Sequence, residues 1–367
     1  MEMGQIILKG FLRYKKGVVI LKPLLFIFSM LYFLCFFIRR FAYRFGIYKS
    51  FKFTTKVISI GNITVGGTGK TPLVILLADF LKKSNKHVII STRGYGGDYV
   101  EKGLVVNATT DIKGSQGTNF LGDEVCLLRR YLKDISICVG KDRVRMINEA
   151  LKTEKPEMIL LDDGFQHLRV KRDLDVVLIN GLNPFGNKGF IPYGILRAPL
   201  SLLKYADIFV ITKVDLIKDV SYTKNILQKI NPSALIVYSQ HLLKGIYEAE
   251  TEKELDVAIL KKKTVNSVCA IGDPESFEKL LCASDITVQA HYRFIDHHKF
   301  KAEEIRQIIK TCISSNIDIV ITTEKDMARL EEFLKVFKQS SIVLLYTKIE
   351  FTLIENKEAF FKKISSL

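Results

Sequence analysis

A short apolar run leads directly into a glycine-rich turn in the first quarter of the chain, and a lysine and a threonine close the turn. Residues 57–60 read Val-Ile-Ser-Ile, and residues 61–72 read GNITVGGTGKTP. In a strand–turn–helix unit, such a turn points successive backbone N–H groups at phosphate oxygens, and the helix dipole adds positive potential there. The pattern therefore predicts an α/β fold that carries a phosphate-binding loop.

The predicted loop, called the phosphate loop below, has six residues: Gly66, Gly67, Thr68, Gly69, Lys70 and Thr71. Lys70 is expected to reach the β- and γ-phosphates of a nucleotide, and the Thr71 hydroxyl is expected to bind Mg²⁺. The usual motif has a glycine five residues before Gly69, where this chain has Thr64. We expect Gly66 and Gly67 to supply the missing flexibility. ATP and Mg²⁺ are the expected cofactors.

Residues 23–38 read PLLFIFSMLYFLCFFI and carry no charge, whereas basic residues lie on both sides of them. A helix of about 16 residues reaches roughly 24 Å, which is less than the ~30 Å hydrocarbon core of a bilayer. Positive charge on both flanks also disfavours a simple span. We expect a helix that dips into the cytoplasmic leaflet and is held by anionic lipid, with burial in the protein core as the alternative.

Apolar, strand-like runs alternate with helix-like stretches from residue 56 onward. The runs lie at residues 57–60, 87–91, 135–139, 158–161, 176–179, 208–211 and 235–238. This alternation favours a mostly parallel sheet that is covered on both faces. A second series has strand-like runs at residues 267–271, 317–321 and 342–345, with helix-like stretches at 275–281 and 303–313.

Between the two series the pattern weakens, and lysine and glutamate become frequent. We therefore predict a membrane-associated helical segment at residues 1–50, a P-loop-containing parallel-sheet domain at 51–240, a linker at 241–263 and a second, smaller α/β domain at 264–367.

The formal net charge of the 367 residues is +16, and such an excess favours an anionic partner. The basic residues crowd around the apolar helix and form no stripe interleaved with aromatics, so we expect an anionic membrane surface and no nucleic acid. The six cysteines include no C-x-x-C pair, and several lie in apolar runs, which indicates free thiols in a reducing compartment.

Asp162 and Asp163 end an apolar run that begins at Met158. A carboxylate at the carboxyl end of a strand beside the phosphate loop is suited to hold Mg²⁺. Asp123 and Glu124 open a helix-like stretch, where acidic residues commonly cap the helix, so the residues alone favour a structural role for them.

His297 follows Asp296 and precedes His298. A histidine beside an aspartate can act as a general base, and it can equally be a hydrogen-bonded structural residue. Both interpretations stay open from the residues alone.

A set of short motifs occurs in one order along the chain. They are GNITVGGTGKTP (61–72), TRGYG (92–96), GDE (122–124), VGKDR (139–143), LDDGFQH (161–167), RDL (172–174), PFG (184–186), LR (196–197), DHH (296–298) and TTEKD (322–326). With this set the chain resembles the tetraacyldisaccharide 4'-kinase family, the lipid A 4'-kinases of Gram-negative bacteria. The resemblance covers nearly the whole chain.

The resemblance implies two α/β/α domains with the active site in the cleft between them. It also implies transfer of the γ-phosphoryl group of ATP to the 4'-hydroxyl of a tetraacylated glucosamine disaccharide 1-phosphate, a late step in lipid A biosynthesis. The expected location is the cytoplasmic face of the inner membrane, with the N-terminal helix as anchor and a membrane lipid as substrate. No obligate protein partner is predicted.

Residue roles follow from the resemblance in the same way. Asp123 matches the proposed base of the family, and His297 matches its partner in a dyad across the cleft. Glu124 and Gln166 match further motif positions. The candidate magnesium ligands are Thr71, Glu124, Asp162 and Asp163.

Two alternatives remain at this level. Residues 212–215, Thr-Lys-Val-Asp, resemble the guanine-reading N/T-K-x-D motif and favour a P-loop GTPase. The second alternative is a membrane-recruited, nucleotide-binding adaptor, which would keep the phosphate loop but would need neither Asp123 nor His297.

Overall fold

The computed structural model describes residues 2–95, 97–107 and 121–367, with side chains from residue 22 onward except Lys262. The helices are α1 (Glu2–Arg44), α2 (Lys70–Lys83), α3 (Tyr99–Lys102), α4 (Asp123–Tyr131), α5 (Arg143–Thr153), α6 (Ser221–Ile230), α7 (Pro274–Ala283), α8 (Ala302–Ser314), α9 (Glu324–Leu330), α10 (Leu334–Gln339) and α11 (Lys357–Ser365). The strands are β1 (Lys56–Asn62), β2 (Val88–Thr92), β3 (Leu104–Val106), β4 (Ser136–Val139), β5 (Met158–Asp162), β6 (Leu174–Asn180), β7 (Ile208–Thr212), β8 (Leu235–Glu248), β9 (Glu254–Leu255), β10 (Thr264–Cys269), β11 (Thr287–Arg293), β12 (Ile319–Thr323) and β13 (Val343–Glu355).

The sheet order is β11-β10-β12-β13-β8-β7-β6-β1-β5-β2-β4-β3, and β9 pairs with β8. Strands β4, β2, β5, β1, β6 and β7 are parallel to one another, as the alternation of strands and helices predicts, whereas the edge strand β3 is antiparallel to β4. Ile60, two residues before the end of β1, pairs with Asp162 at the end of β5. Because parallel strands end at one edge of the sheet, the phosphate loop and the carboxylate pair lie side by side.

The molecule has two lobes with separate cores. The first lobe is built on β1–β7, and its core includes Leu73, Leu77 and Leu160. The second lobe is built on β10–β12, and its cores include Val268 and Phe277. Burial on both faces explains why the central strands of both lobes read as apolar runs.

A long antiparallel ribbon of β8 and β13 joins the lobes. The first residues of β8 pair with β7, and its remaining residues pair with β13 as far as Glu248. Residues 241–248, which we predicted as linker, therefore continue a strand. The ribbon is partly exposed, as it is at Leu242 and Lys244. This exposure explains why polar residues occur in it.

The carboxyl-terminal residues return to the first lobe, although the domain boundaries predicted from the sequence place them in the second domain. The rings of Phe361 on α11 and Phe80 on α2 lie 4.2 Å apart, and Phe360 and Ile364 are fully buried in the first core. The second lobe is therefore built from residues that precede α11 in the chain.

Helix α1 is one element of 43 residues. Its apolar part, Lys22–Arg44, has 23 residues and a mean hydropathy of 1.9. Only 6% of this apolar stretch is buried against the rest of the protein. At 1.5 Å per residue this part is about 34 Å long, so the predicted length of about 24 Å was wrong and the helix is long enough to cross a bilayer. The reason is that the basic residues after Ile38 continue the helix.

One face of α1 docks on the first lobe. Ser29 Oγ donates to the Phe190 carbonyl at 3.0 Å, and Tyr32 OH donates to the Arg197 carbonyl at 2.8 Å. The opposite face is open, with Leu34 54% exposed and Ile38 59% exposed. Burial of this helix in the protein core, the alternative left by the sequence, does not occur.

Candidate active site

The phosphate loop follows β1 and ends at the first turn of α2. Gly66 and Gly69 have φ angles of 105° and 87°, which glycine adopts without steric cost. No side chain in residues 2–95, 97–107 or 121–367 caps the amino terminus of α2. Its first N–H groups and the positive end of its dipole are therefore available to an anion, as the sequence predicts.

Buried polar contacts fix the base of this loop. Asn62 is fully buried, and its Nδ2 donates to Thr68 Oγ1 at 2.8 Å. Gln166 Nε2 donates to the Asn62 carbonyl at 2.5 Å, and Arg197 donates to Asn62 Oδ1. Gln166, a motif position without an assigned function, thus supports the residue that orients Thr68.

The two aspartates after β5 have different surroundings. Asp162 is 2% exposed; its Oδ2 accepts a hydrogen bond from Thr92 at 3.0 Å, and its Oδ1 has no partner within the described part of the chain. Asp163 accepts two hydrogen bonds from Arg197, at 2.9 and 2.7 Å, and lies 3.6 Å from Lys70 Nζ. Of these two aspartates, only Asp162 therefore has a carboxylate oxygen without a hydrogen-bond partner among the described residues.

The pKa values of the pair differ accordingly. Burial, with Glu124 and Asp163 adding to it, raises the pKa of Asp162 to about 6. Burial also acts to raise the pKa of Asp163, but the charges of Lys70 and Arg197 outweigh it and hold that pKa well below its usual range. A cation beside Asp162 would remove the cost of its buried charge.

The four candidate magnesium ligands line one cavity of about 950 Å³. Within the described part of the chain, no group of three or more histidine, cysteine and acidic side chains is arranged to hold a metal. Mg²⁺ commonly takes one or two protein carboxylates and completes its shell with phosphate oxygens and water. The unpartnered oxygen of Asp162 and the hydroxyl of Thr71 fit such a site.

Asp123 and His297 meet across the lobes. His297 Nδ1 lies 3.1 and 3.0 Å from the two carboxylate oxygens of Asp123, which is 6% exposed. Asp123 starts α4 in the first lobe, and His297 follows β11 in the second. The dyad implied by the resemblance is therefore in contact, and His297 lines the cavity while Asp123 lies behind it.

Several cations surround this dyad. Lys325 Nζ and Arg329 NH2 each lie 3.6 Å from Asp123 Oδ2. Burial alone raises the pKa of the Asp123 carboxyl, but the hydrogen bond from His297 and the neighbouring cations bring it to about 2. The hydrogen bond to Asp123 raises the pKa of His297, against the effect of burial.

The loop that carries His297 is held in a strained shape. His297 has a φ of 61°, which a residue with a Cβ seldom adopts, and its N–H donates to the Ala270 carbonyl at 3.2 Å. Arg329 donates to the carbonyls of Ala270 and His298, both at 3.1 Å. The TTEKD motif, whose helix supplies Lys325 and Arg329, thus orients the histidine.

The cavity extends from the phosphate loop in the first lobe to His297 and Lys325 in the second. Sequence reasoning from chemistry missed the ion-pair partners that shape it, since Arg197 lies 34 residues from Asp163 along the chain and Lys325 lies 202 residues from Asp123. The LR and TTEKD motifs contained these residues but gave no function for them.

Known proteins resemble this chain over most of its length. A family model described as Tetraacyldisaccharide-1-P 4'-kinase matches residues 21–367. A tetraacyldisaccharide 4'-kinase of Halothermothrix orenii is 39% identical over 360 residues, 90% of each chain. A probable mitochondrial tetraacyldisaccharide 4'-kinase of Arabidopsis thaliana is 33% identical over 348 residues, 90% of this chain and 87% of the relative.

The fold is also found in a solved structure. The crystal structure of the "apo" form of LpxK from Aquifex aeolicus in complex with ATP superposes with a TM-score of 0.68 and 28% identity, over 94% of this chain and 99% of that one.

Proposed function

The chain belongs to the tetraacyldisaccharide-1-P 4'-kinase family, and on this premise we propose which of its residues carry out the reaction. The enzyme transfers the γ-phosphoryl group of ATP to the 4'-hydroxyl of a tetraacylated disaccharide 1-phosphate. The observation that carries the assignment of roles is the contact of Asp123 with His297, at 3.0 Å, beside the cavity that contains the phosphate loop.

The phosphate loop holds the triphosphate. Residues 66–71 direct N–H groups at the β- and γ-phosphates, and Lys70 neutralises charge on the γ-phosphate. Thr71 and Asp162 would hold Mg²⁺, with Glu124 and Asp163 beside them in the same cavity. When bound, Mg²⁺ supplies neutralisation of the charge on the phosphate oxygens.

The dyad removes the proton of the sugar hydroxyl. In neutral His297 the Nδ1–H donates to Asp123, which leaves Nε2 able to accept a proton. The hydroxyl proton passes to this dyad, and the negative charge of Asp123 stabilises the resulting imidazolium. Because the two residues belong to different lobes, phosphoryl transfer depends on a closed cleft, which also excludes water.

The apolar helix positions the enzyme on its lipid. We propose that the open face of α1, including Leu31 and Leu34, lies in the cytoplasmic leaflet of the inner membrane while its docked face holds the first lobe. The flanking basic residues bind anionic headgroups. The substrate then reaches the cavity from the leaflet that holds the helix.

Transfer of labelled phosphate from ATP to the lipid disaccharide tests this function. We expect the labelled phosphate to be bonded to the 4'-oxygen and no transfer to a 4'-deoxy analogue. We expect the transfer rate to fall by about 10²–10⁴-fold in Asp123→Ala. Transfer from GTP at the same rate as from ATP would favour the GTPase-like alternative. ATP binding without transfer to the disaccharide would favour the adaptor.

A further inference from the structure

Lys213 is a buried cation that the phosphoryl-transfer chemistry described above does not use. It follows β7 in the Thr-Lys-Val-Asp segment and is 3% exposed. Its Nζ donates to the Gly67 carbonyl of the phosphate loop at 2.8 Å and to Asp273 Oδ2 at 2.5 Å. The lysine therefore joins the phosphate loop to a carboxylate of the second lobe.

Asp273 receives further contacts on both sides of the cleft. It caps α7 in its own lobe, where its Oδ1 accepts from Ser276 N at 3.2 Å. Its Oδ2 also accepts from Asn180 Nδ2 of the first lobe at 2.7 Å. Two first-lobe donors thus converge on one second-lobe carboxylate.

The backbones also touch at this point. A Cβ added to Gly272 would lie 2.6 Å from Gly67 N, and one added to Gly66 would lie 2.8 Å from the Gly272 carbonyl oxygen. Real Cβ atoms do not approach that closely. The second lobe is therefore seated directly on the phosphate loop, and glycine on both sides permits the contact.

The contact bears on how the loop binds phosphate. In a trans peptide, the carbonyl of Gly67 and the N–H of Thr68 point in opposite directions. A carbonyl held by Lys213 therefore turns the Thr68 N–H away from the lysine. Buried Lys213 needs a counter-charge to remain in place, and Asp273 supplies it only while the second lobe is seated.

We propose that Lys213 and Asp273 form an interlobe latch that sets the Gly67–Thr68 peptide for phosphate binding, so that the affinity for ATP depends on the position of the second lobe. Both are positioning residues, since they act through the phosphate loop. The proposal deepens the proposed function only in its use of ATP and does not depend on the lipid acceptor.

The test is ATP affinity of the full-length protein, measured by calorimetry with Mg²⁺ and a non-hydrolysable ATP analogue. Asp273→Asn keeps a helix-capping side chain but removes the charge, and we expect about 10- to 100-fold weaker binding from loss of a charged hydrogen bond. Asp256→Asn is the matched control, because Asp256 caps a second-lobe 3₁₀ helix through Ala258 N and has no lysine partner among its described contacts. We expect it to bind like the wild type.

A second comparison separates positioning from folding. Lys213→Met leaves the partly buried Asp273 carboxylate without its cation and should destabilise the fold, whereas Lys213→Met with Asp273→Asn removes both charges. We expect the double variant to regain thermal stability but to keep the weak ATP binding. Wild-type affinity in Asp273→Asn, or recovery of affinity together with stability in the double variant, would overturn the latch.

Gly272→Ala gives an independent test, since its methyl group would separate the two backbones without changing any charge. We expect weaker ATP binding and a larger distance between fluorescent labels on the two lobes. Unchanged affinity in this variant would also overturn the proposal. A wild-type protein that does not phosphorylate the lipid, together with the predicted changes in ATP binding in the variants, would instead contradict the proposed function and leave the latch intact.

Discussion

The Asp123 carboxylate lies among one histidine and two cations, and this arrangement decides its charge. The cations and the His297 hydrogen bond overcome the effect of burial on its pKa, which falls to about 2. Asp123 is thus ionised at neutral pH. An ionised partner favours the protonated form of His297. The pKa of Asp123 is therefore lowered from its ordinary value, and the pKa of His297 is raised.

Asp123→Asn should lower the pKa of His297, because the amide lacks the charge that stabilises the imidazolium. The ring signals of the six histidines, followed by NMR against pH and assigned with His297→Gln, give the measurement. Asp296→Asn is the control. Asp296 lies 3.7 Å from Nε2 and is the smallest cause of the shift, so its loss should lower the pKa less. An unchanged His297 pKa in Asp123→Asn would refute the ion pair.

The same pair gives the contact between the lobes a pH dependence. The pKa of His297 is raised above its ordinary 6.5, so its contribution to stability is complete below that value. The contribution is lost as the pH rises through the raised pKa. Thermal unfolding from pH 6 upward should therefore show a loss of stability in the wild type that is absent in His297→Gln. Parallel pH profiles of the two proteins would contradict this.

Lys70→Ala should raise the KM for ATP and lower kcat together, because Lys70 is expected to contact the phosphates in both the ground state and the transition state. Lys82→Ala is the matched control on the same helix, since the one ion pair of Lys82 with a described residue is to exposed Asp134 at the far end of α2. Steady-state kinetics with varied ATP measures both. A wild-type rate in Lys70→Ala would remove the phosphate-loop assignment.

Sequence reasoning predicted the residues of the phosphate loop because local order determines their shape. It did not predict the partner of Asp163, since an ion pair between residues 163 and 197 depends on how the chain returns over the sheet. For Asp123 the residues alone favoured a helix cap, and the resemblance supplied the dyad with His297. The residues alone could not reveal this contact, because Asp123 and His297 lie 174 positions apart along the chain.

At the scale of elements, α1 is the one described helix whose apolar surface, from Lys22 onward, is mostly open. Composition predicted its position but not its length, because the charges that interrupt the apolar run do not interrupt helical hydrogen bonding. Its docked face, through Ser29 and Tyr32, could not be predicted, since the partner is an irregular loop more than 150 residues away.

Leu31→Asn with Leu34→Asn should weaken binding to vesicles that contain anionic lipid, because both side chains are more than half exposed on the open face. Truncation of α1 would also uncover Phe190, so substitution is the cleaner change. Leu242→Asn, at an exposed apolar position of the ribbon, is the control. Sedimentation with vesicles at the wild-type level by the double variant would contradict an anchoring role for this face.

At the scale of the whole molecule, two α/β lobes meet over a cavity that neither could form alone. The alternation of strands and helices predicted the lobes, since each central strand is buried on both faces. The β8–β13 ribbon was not predicted, because it pairs residues from distant parts of the chain, and its exposed positions include apolar residues such as Leu242 and Ile349 as well as polar ones. The return of α11 likewise depends on Phe360 and Ile364, whose spacing fits any amphipathic helix.

The central claim is that Asp123 and His297, one from each lobe, act as one unit on the sugar hydroxyl. Single-turnover phosphoryl transfer at saturating ATP and lipid, measured by rapid quench for the wild type, Asp123→Ala, His297→Ala and the double variant, tests it most directly. If the two residues act together, either single substitution already removes their joint function. We therefore predict that the double variant is no slower than the slower single variant, within about threefold. Losses that multiply in the double variant, or a wild-type rate in either single variant, would contradict the account.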